Sequence, residues 1–269
     1  MTTRWGGIAD IRFRKALINR VGTLGVALVL RIFIPNSFDN VNTRRLGSGY
    51  GGWWVPVQGI SPTSVCYSVG AGEDISFDIE LAKTFGVQVN IVDPTPRAKL
   101  HFESFLAKMQ MRNNRSLLTE GQSSEPLAST QIAAQLRFIG FGVWDQDTIQ
   151  RFYFPRDPSH VSCSITNIQN TESYFEAQCY TLKSLMSLRG DLTLNLLKLD
   201  VEGAEHNILK RMLLDQIHPD VLLVEFDDGH PRNILATAKR LRAAGYRRVR
   251  IENRNCLLIR TANSELSRL

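Results

Sequence analysis

Cysteine is scarce: Cys66, Cys163, Cys179 and Cys256 are the only four in 269 residues, and no two lie close together. No C-x-x-C pair occurs, which excludes zinc-ribbon and thioredoxin-like spacings. The expectation is four buried, reduced thiols. Long apolar runs are lacking too. The most apolar stretch, Val21 to Leu30, is about ten residues, contains two glycines and is broken by Arg31. A membrane-crossing helix needs roughly 20 apolar residues. Pro35 closes the stretch without a small-residue cleavage site, so neither a signal peptide nor a spanning anchor is expected. The reading is a cytoplasmic chain with an amphipathic helix, Phe13, Leu17, Val21 and Leu24 on one face, leading into an element that covers the domain. There is no internal repeat and no low-complexity tract. An interleaved aromatic–basic pattern is also missing, so no nucleic-acid partner is expected.

What is present is an ordinary globular composition, 43% hydrophobic and 22% charged, long enough to bury a substantial core. The net charge of +6 is unevenly placed: residues 1–50 hold eight basic residues against Asp10 and Asp39, and the remainder balances. This divides the chain into a basic N-terminal extension, 1–50, and a domain, 51–269. The extension reads either as a solvated basic helix face or as a peripheral contact with anionic lipid, an acidic partner or a phosphate-bearing substrate. Residues 40–62, rich in Gly, Ser, Asn and Pro around Trp53-Trp54, read as an irregular loop with an aromatic anchor.

From Ser64 a regular alternation begins. Strands are predicted at Val65–Val69, Val87–Val92, Leu136–Val143, Leu192–Asp200 and Val221–Phe226. Helices are predicted at Ser76–Phe85, Pro96–Met111, Thr181–Leu188, Ala204–Leu214 and Asn233–Ala244, with a polar loop over 112–130. Thr148–Phe154 alternates and pairs with a neighbouring short strand. Tyr246–Glu252 and Cys256–Arg260 flank an Asn-Arg-Asn turn as a C-terminal hairpin. Strand–helix alternation gives an α/β fold, a Rossmann-like doubly wound sheet with mostly parallel strands, an antiparallel strand from the terminal hairpin, and an N-terminal helical and irregular extension.

Ligands of such sheets bind at the carboxyl ends of strands, where charged and glycine residues recur here. Gly70, Ala71, Gly72 and Glu73 form a G-x-G turn after the first strand, where the backbone can approach a ligand. Residue 75 is Ile, so the third glycine of the dinucleotide fingerprint is missing. Asp93, after the second strand, can accept hydrogen bonds from ribose hydroxyls; Pro94, Thr95 and Arg97 follow it. These features suit a nucleoside without a pyrophosphate, such as S-adenosylmethionine. Lys198, Asp200 and Glu202 share one side of a strand end by period two, ahead of Gly203 and Glu205. They are read either as an ion pair with a helix cap or as a functional cluster. Val143 and Trp144 lie at the end of the third strand, with Trp144 either stacking on a base or packing in the core.

Six segments in order, VGAGEDISFD (69–78), DPTP (93–96), FGVWD (141–145), TLKSL (181–185), LKLDVEGAE (197–205) and VEFD (224–227), resemble the FkbM-type methyltransferases. The resemblance spans roughly residues 50–230, and K-x-D-x-E-G-x-E is its discriminating element. It implies a class I, S-adenosylmethionine-dependent methyltransferase with a seven-stranded sheet, acting on hydroxyls of sugars, glycans, lipid-linked sugars or natural products. A hydroxyl acceptor needs a general base. Asp200 is the first candidate and Glu202 the second, with Lys198 neutralising charge and His230 the histidine candidate, whereas His206 reads as a solvated helix residue. Asp200, Glu202, Glu225 and Asp227 offer oxygen ligands, but spacing does not make them converge, so no metal is expected. The competing readings are a Rossmann-type NAD-dependent oxidoreductase and a non-catalytic cofactor-binding module.

Overall fold

The computed structural model describes residues 24–36, 41–118, 131–157, 162–167 and 169–261, with backbone only for 112–118. Helix α1 spans 24–33. Strands β1 (Thr43–Leu46) and β2 (Trp53–Pro56) follow, then β3 (Val65–Val69), α2 (Ser76–Phe85), β4 (Gln88–Val92) and α3 (Pro96–Leu118). After α4, 131–135, come β5 (Leu136–Ile139), β6 (Gly142–Val143), β7 (Thr148–Tyr153) and β8 (Tyr174–Tyr180). The chain then alternates through α5 (Leu182–Arg189), β9 (Leu196–Leu199), α6 (Glu205–Leu214), β10 (Val221–Glu225) and α7 (Pro231–Ala243). It closes with the hairpin β11 (Tyr246–Glu252) and β12 (Asn255–Arg260).

A seven-stranded mixed sheet of order β11-β12-β10-β9-β3-β4-β5 organises the molecule. The five strands β10, β9, β3, β4 and β5 run parallel; β12 runs antiparallel to them, as the terminal hairpin required, and β11 pairs antiparallel with β12 at the edge. Side chains alternate between two faces along each strand. Tyr67, Val69, Leu197, Leu199, Leu222 and Val224 join α1, α5, α6 and α7 in one apolar cluster. Cys66, Leu196, Val221 and Leu223 join α2, α3 and the β1–β2 hairpin in the other. The parallel strands are predominantly apolar because both faces are covered.

Local signals hold several elements where the pattern placed them. Gly86 ends α2 in the left-handed region at φ +71, donating its N–H to Ala82 O. Thr181 caps α5, its hydroxyl accepting from Ser184 N. Elsewhere the structure differs. The predicted strand Leu136–Val143 is two strands in different sheets, because Gly140-Phe141 turns the chain into a small sheet of order β6-β8-β7. Gly142 is packed so closely on Cys179 and Phe152 that a Cβ would not fit. Thr148–Phe154 does pair there, with β8 (Tyr174–Tyr180), a strand the sequence reading did not include. Strand β9 starts at Leu196, and Leu192 is 96% exposed. Helix α3 runs on through 112–118, the start of the expected loop.

Residues 40–62 are not wholly irregular: β1 and β2 pair across residue 50, so the boundary drawn there falls inside a hairpin. Phe13, Leu17 and Val21 lie outside the described residues. The fourth residue of that face, Leu24, is 70% exposed, whereas Val26 and Leu30 are buried. α1 therefore covers the sheet, as expected, but with a different face.

Gly70, just beyond β3, has φ +82, and a Cβ on it would run into the backbone carbonyl of Asp200. Gly190, at φ +74, faces open space. Gly70→Ala is expected to cost on the order of 3 kcal/mol or more, and Gly190→Ala about 1 kcal/mol from backbone strain alone. Urea unfolding of the two variants measures the difference; equal costs would mean that the close approach of Gly70 to Asp200 adds nothing beyond backbone strain.

Candidate functional site

Register aligns the carboxyl ends of the parallel strands. Val69 lies beside Val92 and Leu199, Val92 beside Ile139, and Leu199 beside Val224. From β3 the sheet continues one way through β4 and β5 and the other way through β9 and β10. The chain reverses direction across the sheet at β3 and β9, which opens a crevice beyond their ends. A cavity of about 710 Å³ occupies it.

The floor of the cavity is the glycine turn, and Asp93 shapes that turn. One Asp93 oxygen accepts from Ala71 N and Gly72 N, both at 2.9 Å; the other accepts from Thr95 N at 2.8 Å and Thr95 Oγ1 at 2.6 Å. A carboxylate offers about four acceptor positions, and this chain's own donors occupy them. Asp93 is thus a strut for the turn as well as a cavity wall. Pro94 and Thr95 line the cavity beside it. Arg97 is paired with Glu73 at 2.9 Å.

Lys198 is buried, and its ammonium donates to Gly70 O at 2.7 Å and to an Asp200 oxygen at 3.2 Å, 5.3 Å from the Trp53 ring. The period-two reading of Lys198 and Asp200 is therefore a real ion pair, placed inside the cavity wall. Among the described residues, Lys198 is the only cation lining the cavity, against Glu73, Asp74, Asp93, Asp200, Glu202 and Glu225.

Glu202 occupies a left-handed backbone position, φ +50, ahead of Gly203 at φ +94. Ser164 and Thr166 hydroxyls donate to its backbone carbonyl at 2.7 and 3.3 Å. Burial first, then the nearby Asp227 and Asp200 charges, push the Glu202 carboxyl up to about 7. Burial likewise raises Glu225 and Asp227, with Asp200 adding to both. Arg254 sits 3.3 Å from Asp227 and opposes the rise. One oxygen each from Asp200, Glu202 and Asp227 falls within 4.8 Å of the others, so these residues converge as spacing alone could not show. Three such oxygens are able to hold a hard divalent cation. Raised proton affinity and Arg254 already compensate the cluster, and no metal is invoked.

Most of the expected site residues meet here. Gly70, Ala71, Gly72, Glu73, Asp93, Pro94, Thr95, Val143, Lys198, Asp200 and Glu202 line one cavity. Two do not. Trp144 turns away and packs on the apolar cluster under α5 and α6, because its backbone N–H is drawn to Tyr180 O by the β6–β8 ladder. His230 is exposed at the start of α7, outside the cavity lining.

The sequence reading missed Tyr50, Trp53, Phe152, Cys163 and Asn255, all of which line the cavity. They come from the hairpin, the small sheet and the β11–β12 turn, which no motif links. Cys163 is half-buried rather than buried, unlike the other three thiols. Burial pushes it up to about 11, which keeps it protonated at neutral pH.

The sequence pattern of the family described as Methyltransferase FkbM domain matches residues 89–248, more than half of the chain. This chain belongs to the FkbM methyltransferase family. The match runs from β4 into β11 and includes the Lys198–Glu205 segment; β3 and the glycine turn lie before it. No curated protein and no solved structure matches the chain.

His206 of this methyltransferase is not solvated. It is buried, with Nδ1 2.8 Å from Thr237 Oγ1 and Nε2 3.1 Å from Asp228 O. A carbonyl only accepts, so Nε2 carries the proton and Nδ1 accepts from the threonine. Burial holds this imidazole below its usual range and hence neutral at pH 7. It joins α6 to α7 and fixes the loop that carries Asp227.

The Glu202 carboxyl binds its proton up to about 7 when folded, against about 4.3 unfolded. A raised folded value gives stabilisation that is complete below the unfolded value and lost as pH rises through the folded one. Glu202→Gln does not lose it. The melting temperature of Glu202→Gln relative to wild type is therefore expected to climb between pH 5 and pH 8.5. A constant difference in parallel melts would show that the folded and unfolded carboxyls titrate alike.

Proposed function

We propose that this methyltransferase uses S-adenosylmethionine, binds it in the cavity at the β3–β9 crevice, and methylates a hydroxyl of a sugar, glycan or natural-product acceptor. The observation that carries the reading is the acidic lining of that cavity: Glu73, Asp74, Asp93 and Asp200 beside one lysine around a glycine floor, with Glu202 and Glu225 raised in proton affinity. Such a wall attracts a sulfonium and repels a pyrophosphate. Gly70 lets the turn approach the Asp200 carbonyl, where a Cβ would collide, and Ile75, in place of a third glycine, is buried against the sheet. The buried Ile75 and the acidic wall weigh against the dinucleotide-binding alternative.

The Gly70-Ala71-Gly72 turn, braced by Asp93, would hold the nucleoside part, and Asp200 and Glu73 the cationic part. When bound, the cofactor supplies an electrophilic methyl group. Glu202 is the general base in this reading: it lines the cavity and ionises near neutral pH, the range in which a base works best. It takes the hydroxyl proton of the acceptor. Asp200 remains paired with Lys198, which keeps its carboxylate fixed beside the cofactor. A neutral polyol acceptor suits this wall better than a phosphorylated one, since an added anion would meet the carboxylates.

Isothermal titration with S-adenosylmethionine and its neutral product S-adenosylhomocysteine tests the electrostatic argument. Asp200→Asn keeps the shape and removes the charge. It is expected to weaken the cationic ligand by roughly tenfold and the neutral one by less than about threefold. No binding to well-folded wild type, or equal losses for both ligands, contradicts the assignment. With an acceptor in hand, methyl transfer is expected to rise with pH through about 7, the range in which Glu202 loses its proton. In Glu202→Gln the rate is expected to fall by about 10²–10⁴-fold and to lose that dependence. A pH profile unchanged in the variant would move the base elsewhere.

A further inference from the structure

We infer that the outer face of α1 is a docking surface for an anionic lipid bilayer. The helix has two apolar faces. Val26 and Leu30 are buried against the sheet, while Leu24, Leu28 and Ile32 are 70%, 59% and 61% exposed. The latter three recur at i, i+4 and i+8, one stripe on the side facing away from the core. No helix among the described residues is long and apolar enough to cross a membrane. An exposed apolar stripe of this length therefore suits the interface plane.

Charge selects the partner. Arg31 is exposed on the same helix. Lys239 of α7 reaches to 5.8 Å from the Phe33 ring. Arg248 of β11 is tied to the end of α1 through its N–H to Pro35 O at 2.9 Å. Burial first, and then the nearby Arg31, disfavour the charge of Arg248. The residues before α1 add Arg4, Arg12, Arg14, Lys15 and Arg20 against Asp10. Basic residues beside an apolar helix face favour anionic lipid. A second copy of the chain docked on the same stripe would instead set these cations against each other.

Co-sedimentation of the full chain with vesicles of phosphatidylcholine, alone or mixed with phosphatidylglycerol, tests this. Binding to the mixed vesicles is expected to be roughly tenfold stronger or more, and to fall with added salt. Leu28→Glu with Ile32→Glu, both at exposed positions, is expected to remove it. Leu100→Glu, 62% exposed on α3 over the other face of the sheet, is expected to leave it intact. Equal binding to both vesicle types, or binding unchanged by the stripe variant, overturns the inference. So does a wild-type dimer, by sedimentation velocity, that the stripe variant dissolves while neither protein binds vesicles; a second copy would then be the occupant.

Discussion

The Lys198 ammonium ties together the ends of two strands that the β3–β9 ladder already sets side by side. It donates to the carbonyl of Gly70, at the end of β3, and to the carboxylate of Asp200, at the end of β9. The chain's winding across the sheet reverses at these two strands, and a crevice there is the natural place for a ligand. A buried cation is tolerable only with partners, so the lysine fixes the distance between the glycine turn and the acidic strand end. The missing side chain of Gly70 permits the same approach from the other side. One attractive contact and one steric vacancy together set the depth of the cavity.

The acidic wall follows from where the strands end. Parallel strands covered on both faces must be apolar along their length, so charge accumulates at their termini. Asp93, Asp200, Glu202, Glu225 and Asp227 all sit there. Mutual repulsion and burial raise the proton affinity of Glu202, Glu225 and Asp227. Two local contacts hold the wall: Asp93 is absorbed by four donors of its own neighbourhood, and the neutral His206 pins the loop bearing Asp227 and Asp228. Stability alone would not select this arrangement, because apolar residues of similar volume would remove the repulsion.

The parts of the fold that the sequence made legible are those where one residue decides the geometry. Gly86 stops α2, Thr181 starts α5, and period-two apolar strands separate cleanly from their charged ends. Lys198 and Asp200 could be placed on one cavity wall because a strand has only two sides, whereas Glu202 reaches it from the left-handed turn beyond β9. What stayed hidden depends on choices among equals. α1 offers two apolar faces, and only packing on the sheet decides that Val26 and Leu30 go inside. Leu136–Val143 reads as one strand until the chain turns at Gly140. His206 looks like any exposed helix polar residue until Thr237 and the Asp228 carbonyl are brought to it by α7 and β10. Tyr50, Phe152 and Cys163 come from three separate segments and carry no pattern that would unite them.

Glu202 is where fold and chemistry oppose each other most directly. A residue with a Cβ in the left-handed region costs on the order of 1 kcal/mol that glycine would not, and glycine already stands at the next position. Its carboxyl is further penalised by burial and by Asp227. Ser164 and Thr166 hold its carbonyl, so the turn is braced by the loop after β7 rather than relaxed. Strain, desolvation and bracing converge on one side chain that lines the cavity. A purely structural turn needs none of the three. A proton acceptor poised near neutrality needs all of them: desolvation to raise its proton affinity, a turn to aim it, and a brace to stop it relaxing into solvent.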